Sequence, residues 1–289
     1  MMDEQNALIN PLQVAGMNLH YYYYPLEYFL DSQLHSGCST IELWGGTPHI
    51  WVDHLSFSNL AHIKKQTKMR NQSIAVFTPE YSSYRYLLCT SDADIHSKSL
   101  AYYANCLQIT AELGAKTMCI NMTGRFCDED YSDAWKRCTN SVGYLCEIAC
   151  SLGIDLAIET LSPEQSAILN TLEELKNLLR EVRSKQLKVA MDIVSISSSG
   201  ESIEQWFDAF NEDIVHVHFT DGRNDGSHLV WGDGCFPLQR YLTQLNIQGY
   251  KGLISPNLSS RKYFADPVTA DKRNQNALNK YFAVEREKE

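Results

Sequence analysis

Six polar residues, Glu42, Glu80, Asn121, Glu159, Asp192 and His218, each close a short apolar run, and Asn257 closes one more. Any one of them alone reads as a cap or a salt bridge to a neighbouring loop, so the series carries the signal rather than its members. The tetrad Glu159, Asp192, His218 and Asn257 offers oxygen and imidazole donors without thiolate. That mixture suits one divalent metal ion (Mn2+, Mg2+, Co2+ or Zn2+) in a reactive site better than a structural zinc. A ketose could chelate such a cation through its carbonyl and an adjacent hydroxyl. The metal would polarise the carbonyl and stabilise the enediolate left when a neighbouring C–H proton departs. This is the chemistry of sugar isomerisation or epimerisation.

Residues so far apart meet only if the fold gathers the ends of their runs. A recurring unit does this: an amphipathic segment, a glycine as C-cap, a polar turn and a β-rich apolar run. It is clearest at Gly37, Gly114, Gly153 and the Gly249 to Gly252 stretch. Helical spacing places Leu26, Phe29, Leu30 and Leu34 on one face, and likewise Leu100, Tyr103, Ala104, Leu107 and Ala111. The runs 40–44, 73–77, 117–122, 156–160, 187–193, 214–220 and 252–258 are apolar without alternation, as expected of strands covered on both faces. With a first strand over 14–19 they make eight strands interleaved with helices. At about 30 residues per unit this predicts a single-domain α/β (β/α)8 TIM barrel over residues 1–289, whose strand ends converge on one face. No glycine-rich phosphate loop follows any strand, which disfavours an open doubly wound sheet.

Composition narrows the partners. The 289 residues carry 35 Asp and Glu against 25 Lys and Arg, a formal net charge of −10. That balance opposes nucleic-acid binding, which rests on Lys and Arg. Lys64, Lys65, Lys68 and Arg70 read as the solvated face of a helix. No stretch approaches the roughly 20 apolar residues of a membrane span, and residues 1–10 lack the features of a signal peptide, so a cytoplasmic location is expected. The nine cysteines show no CxxC pair and are expected mostly as buried thiols.

Several stretches resemble the xylose-isomerase-like barrel superfamily of sugar isomerases and epimerases, and within it the fructoselysine-epimerase branch. They are Ile41 to His49, Phe77 to Glu80, Ile158 to Pro163, Met191 to Ile193, His216 to His218, Gly232 to Gly234 and Gly249 to Gly252. The resemblance implies that Glu159, Asp192 and His218 bind the metal, that Glu159 also acts as a catalytic carboxylate, and that a ketose or fructosamine-type sugar is the small-molecule substrate. It implies a Glu on the eighth strand as fourth ligand and second acid/base. This chain departs there, reading Leu253-Ile254-Ser255-Pro256-Asn257-Leu258. Asn257 can lend an amide oxygen but cannot cycle a proton. Two carboxylates also predict weaker metal retention than three. Ser195 stands near the place of a His found in many relatives.

The resemblance places His49 and Glu80 around the sugar, and Arg223 and His228 follow the seventh strand where a hydroxyl, carboxylate or phosphate could meet them. His216 is expected deeper, as a core histidine. Asp221 either orients the ligating imidazole or caps the following loop. Trp44, Trp51 and Trp231 suit a sugar-facing wall, core packing or a subunit interface. The Tyr21 to Tyr24 run suits the barrel mouth or a homo-oligomer contact. Three functions are therefore weighed: a metal-dependent isomerase or epimerase with Glu159 moving the proton, a non-catalytic sugar-binding relative that lost its second carboxylate, and an endonuclease of the same superfamily, which the acidic balance disfavours.

Overall fold

The computed structural model describes residues 9–80, 86–223 and 225–286. Eight parallel strands form one sheet: β1 (Gly16–Met17), β2 (Thr40–Gly45), β3 (Ser73–Pro79), β4 (Thr117–Asn121), β5 (Asp155–Glu159), β6 (Leu187–Asp192), β7 (Ile214–His218) and β10 (Leu253–Ser255). They pair in that order. The ring is drawn together where Val14 bridges Ile254 in parallel and the Ala15 N–H donates to the Ile254 carbonyl at 2.9 Å. Between β7 and β10 a small antiparallel ribbon pairs β8 (Asp221–Gly222) with β9 (His228–Leu229).

Helices α1 (Leu26–His35), α2 (Phe57–Met69), α3 (Ala93–Leu113), α4 (Tyr131–Leu152), α5 (Leu172–Val182), α6 (Ile193–Ser198), α7 (Ile203–Phe210), α8 (Leu238–Ile247) and α9 (Pro267–Arg286) occupy the connections and the end of the chain. Gly114 and Gly153 end α3 and α4 in the left-handed region, where a Cβ would be strained, so the expected caps are present. Leu26, Phe29 and Leu30 bury the inner face of α1, whereas Leu34, expected beside them, is exposed. Five of the nine free cysteines are buried, Cys38 is half-buried, and Cys127, Cys150 and Cys235 are exposed.

The expected strands are all present: β1, β4, β6, β7 and β10 are shorter than expected, β2 and β3 run further, and β5 is shifted by one residue. β10 stops at Ser255 because Pro256 has no N–H to continue the ladder. β1 is two residues long because the Asn18 side chain takes over from the backbone. Its amide oxygen accepts from the Trp44 N–H at 2.7 Å and its nitrogen donates to the Trp44 carbonyl at 3.1 Å. Trp231, tilted against Phe219 at 4.8 Å, is core.

Alternation along the strands layers the barrel interior. Val76, Cys119, Ala157 and Ala190 form a small-residue layer, with Leu253 packed against it. Two residues further along their strands stand Thr78, Asn121, Glu159 and Asp192, and Ser255 stands likewise two beyond Leu253. Small side chains below leave room for a polar upper layer at the C-terminal mouth. No helix among the described residues is long and apolar enough to cross a membrane.

Candidate metal centre and its cavity

Asn121, Glu159, Asp192, His218 and Ser255 are each the last residue of a barrel strand. The register sets Asn121 beside Glu159, Asp192 beside His218, and His218 beside Ser255. One donor atom each from Glu159, Asp192 and His218 lies within 4.8 Å of the others, and all three residues are buried. Spread over 60 positions of sequence, they meet because the strands end together.

Each member is held by a partner. The Glu159 carboxylate meets His218 Nδ1 at 2.6 Å through one oxygen and accepts from Asn121 Nδ2 at 2.6 Å through the other. Asp192 caps α6, its Oδ1 accepting from the Val194 and Ser195 N–H groups at 2.7 and 3.0 Å. Its Oδ2 meets His228 Nε2 at 2.8 Å and lies 3.8 Å from His218 Nδ1. Burial alone would raise the Asp192 pKa, but His228, His218 and the Ser195 N–H hold it below the usual carboxylate range. Burial likewise opposes charge on His228, and the Asp192 carboxylate overcomes it and raises the imidazole.

Glu42, noted in the sequence only as a strand-ending residue, lies on the inner side of His218. Its Oε1 meets His218 Nε2 at 2.9 Å and accepts from Thr78 Oγ1 at 2.5 Å, and its Oε2 meets His216 Nε2 at 2.8 Å and accepts from Ser255 Oγ. Four donors therefore satisfy one fully buried carboxylate. Burial would raise Glu42, yet His218 and His216 pull it well below the ordinary range. Caught between Glu42 and Glu159, His218 is raised well above the usual histidine value despite its burial. His216 is fully buried, as expected of a core histidine, and also belongs to this Glu42 cluster.

Above the triad opens a cavity of about 490 Å3, within the roughly 300–1,000 Å3 that small-molecule pockets span. Of the residues singled out in the sequence, Glu80, Asn121, Glu159, Asp192, Ser195, His218, His228 and Asn257 line it. Asn257 sits on the loop after β10, half-buried. Trp44, Tyr22 and Tyr23 also line it, whereas Trp51, half exposed, does not.

Two expected substrate residues point elsewhere. His49 accepts from Asn18 Nδ2 on Nδ1 at 2.7 Å and donates from Nε2 to the Tyr24 carbonyl at 3.0 Å, and burial pushes its pKa down to about 4. It is a neutral brace between β1 and α1. The Arg223 guanidinium donates to the Asp233 carbonyl at 2.7 Å on the loop beside the ribbon. Neither lines the cavity. Asp221 follows the second of its two sequence readings. Its carboxylate accepts from the N–H groups of Gly222, Gly232, Gly234 and Phe236 at 2.8–3.0 Å and so folds the loop after β9. A Cβ at Gly234 would lie 2.3 Å from Asp221 Oδ1, which explains the second glycine of Gly232-Asp233-Gly234.

Ser255 is the site residue the sequence reading passed over. Its signal was the polar residue two positions after Leu253, just before a proline that ends the strand.

A mixed carboxylate and imidazole triad, gathered at the strand ends of a parallel barrel beneath an open cavity, makes a candidate metal site in an α/β barrel. The chain belongs to the xylose isomerase-like TIM barrel family, whose model matches residues 34–281. Among curated relatives, fructoselysine 3-epimerase of Escherichia coli O157:H7 is 26% identical over 236 residues, 81% of this chain and 86% of that protein. The fold superposes on a D-tagatose 3-epimerase-like protein with a TM-score of 0.79 at 18% identity, covering 95% of this chain and 99% of that one. D-psicose 3-epimerase from Clostridium cellulolyticum H10, solved with D-tagatose, gives 0.76 at 19% identity, over 94% and 99%.

Proposed function

We propose that this protein is a divalent-metal-dependent sugar isomerase or epimerase acting on a ketose or fructosamine-type substrate, with Glu159 as the proton-transfer base. The observation that carries the reading is the meeting of Glu159, Asp192 and His218 within 4.8 Å on the floor of a cavity that a sugar fits. The donor set fits a cation: three buried residues, two of them carboxylates, bring oxygen and nitrogen donors together, and the Asn257 amide oxygen is the candidate fourth ligand. A cation bound there would polarise the substrate carbonyl and offset the charge gathering on its oxygen.

The protein's own groups do the rest. The Glu159 carboxylate takes the proton from the carbon beside the carbonyl, while the Asn121 amide holds its second oxygen in place. Return of that proton by Glu159 on the same face to the neighbouring carbon, with the hydroxyl proton passing between the two adjacent oxygens, interconverts aldose and ketose. Return to the opposite face inverts the carbon and needs a second acid, for which Glu80 is the carboxylate lining the same cavity. That His49 lines no part of this cavity and is held by Asn18 and the Tyr24 carbonyl supports Glu80 over it.

Incubating the metal-loaded protein with a panel of ketoses and fructosamines in D2O, and following carbon-bound deuterium by NMR, tests this directly. Exchange is expected at the carbon beside the carbonyl, and its absence with every sugar removes the proposal. One observation favours a second reading, a non-catalytic sugar-binding relative: β10 and the loop after it present Ser255 and Asn257, with no carboxylate. If Asn257→Glu creates epimerase activity in an inactive protein, that second reading replaces the first.

A further inference from the structure

The end of the barrel opposite the metal centre holds a second cavity, of about 460 Å3. β7 runs between the two: its last residue is His218, and its first two, Ile214 and Val215, line this lower cavity. Phe207 of α7 and Tyr250 complete the apolar part of the lining, their rings meeting edge-on at 6.0 Å and 77°. Four polar residues belong to the same lining, Asn211, Glu212, Gln248 and Lys251. Among the described residues none of these four side chains has a hydrogen-bond or ion-pair partner. Charges at the same end of the barrel but outside the lining are settled differently, because Lys188 and Asp213 pair at 2.6 Å.

The Gly249 to Gly252 motif, which the metal centre leaves unused, lines this cavity in full. Three of its members have structural tasks. Gly249 follows α8 with φ +67°, and the Tyr250 hydroxyl donates to the Leu253 carbonyl at 2.8 Å. Gly252 leaves room for that hydroxyl, since a Cβ there would lie 2.4 Å from Tyr250 Oη. Lys251, exposed, takes part in none of this packing. On the α7 side, Asn211 ends the helix at φ 41° and ψ −113°, a backbone that glycine holds freely and asparagine only at a cost. The chain accepts that cost beside the unpaired Glu212.

An apolar floor flanked by one cation, one anion and two amides matches a small zwitterion. Its carboxylate meets Lys251 and its ammonium meets Glu212 in charge-assisted hydrogen bonds, while its side chain lies against the Phe207 and Tyr250 rings. A simple anion would leave Glu212 unanswered, and a simple amine would leave Lys251 so. We infer that this lower cavity is a second ligand site, for an α-amino acid with an apolar side chain. It stands apart from the barrel mouth and rests on none of the chemistry proposed there.

The test is calorimetric titration of the intact, metal-loaded protein with L-phenylalanine, L-leucine, L-serine, 3-phenylpropionate and phenethylamine, repeated on Glu212→Gln and Lys251→Gln. Both positions are exposed, so neither change disturbs the core. L-Phenylalanine is expected to bind about ten-fold more tightly than 3-phenylpropionate or phenethylamine, each of which lacks one of its two charges. L-Serine, which keeps both charges without the apolar group, should be weaker by a similar factor. Glu212→Gln should erase the advantage over 3-phenylpropionate, and Lys251→Gln the advantage over phenethylamine.

Failure of both L-phenylalanine and L-leucine to bind overturns the site. So does equal affinity for the zwitterion and its singly charged analogues. An affinity for L-phenylalanine that neither substitution changes also overturns it, because the amino acid then sits elsewhere, its amine and carboxylate on the metal being the evident place.

Discussion

His218 is gripped on both ring nitrogens by carboxylates, Glu159 on the cavity side and Glu42 on the inner side. The ring therefore cannot turn, and Nδ1 is the nitrogen presented to Asp192 and Glu159. A carboxylate behind a ligating imidazole raises its basicity and fixes its tautomer, and loss of such a partner typically costs about 10–100-fold in metal affinity. Glu42→Gln should weaken Mn2+ or Co2+ uptake by a factor in that range, measured by competition with a chelator. Unchanged affinity would show that the pairing does not hold the ligand. Asn121→Ala should slow deuterium exchange roughly ten-fold without lowering thermal stability much, since the Glu159 carboxylate then swings free. At this scale the sequence was only partly legible. The ligand types could be read from strand ends, because the last inward residue of a barrel strand has one place to point. The aim of loop residues could not: nothing local says that His49 turns toward Asn18 and Tyr24, or that Arg223 reaches the Asp233 carbonyl.

Among the elements, the loop after β9 shows most plainly how a motif can be structural. Asp221 gathers four N–H groups, and Asp233 in turn is held by Arg273, by Tyr263 at 2.7 Å and by Lys262 at 3.1 Å, tying this loop to the 3-10 turn and to α9. Asp221→Ala should cost about 3 kcal/mol, because buried donors lose an ionised acceptor, and should appear as a Tm drop of several degrees. A change within one degree would mean that water replaces the carboxylate. The Arg273 guanidinium, with Tyr263 and Lys262, holds Asp233 below the usual carboxylate range. A depressed folded-state value stabilises above the unfolded Asp pKa of about 3.9 and loses that contribution as pH falls. The stability gap between wild type and Asp233→Asn should thus be level, at about 1 kcal/mol, from pH 7 to 5. It should shrink steadily below pH 4 in denaturant titrations. A gap that grows on acidification contradicts the pairing. The helices and strands were legible here because glycine caps and uninterrupted apolar runs mark their limits. The brevity of β1 was not, since it depends on the Asn18 side chain reaching across to Trp44.

For the whole molecule, the decisive arrangement is a barrel whose inner layers change from small and apolar to polar within two residues. Glu159, Asp192 and His218 are buried together at the mouth, so binding of a cation there should register as global stability. Adding Mn2+ or Co2+ to chelator-stripped protein should raise Tm by several degrees, and Asp192→Asn should abolish that rise. A shift retained in the variant would place the cation elsewhere.

The seam between Val14 and Ile254 has its own bearing on how the protein is made. While it emerges from the ribosome, a chain that has reached His218 already owns three donors but still lacks β10, the Asn257 loop and Phe264 of the cavity lining. Until they arrive, β1 and β7 offer bare backbone edges of the kind that recruit foreign strands. Synthesis halted shortly before Leu253 should therefore leave an open, adhesive arc rather than a weakly active enzyme.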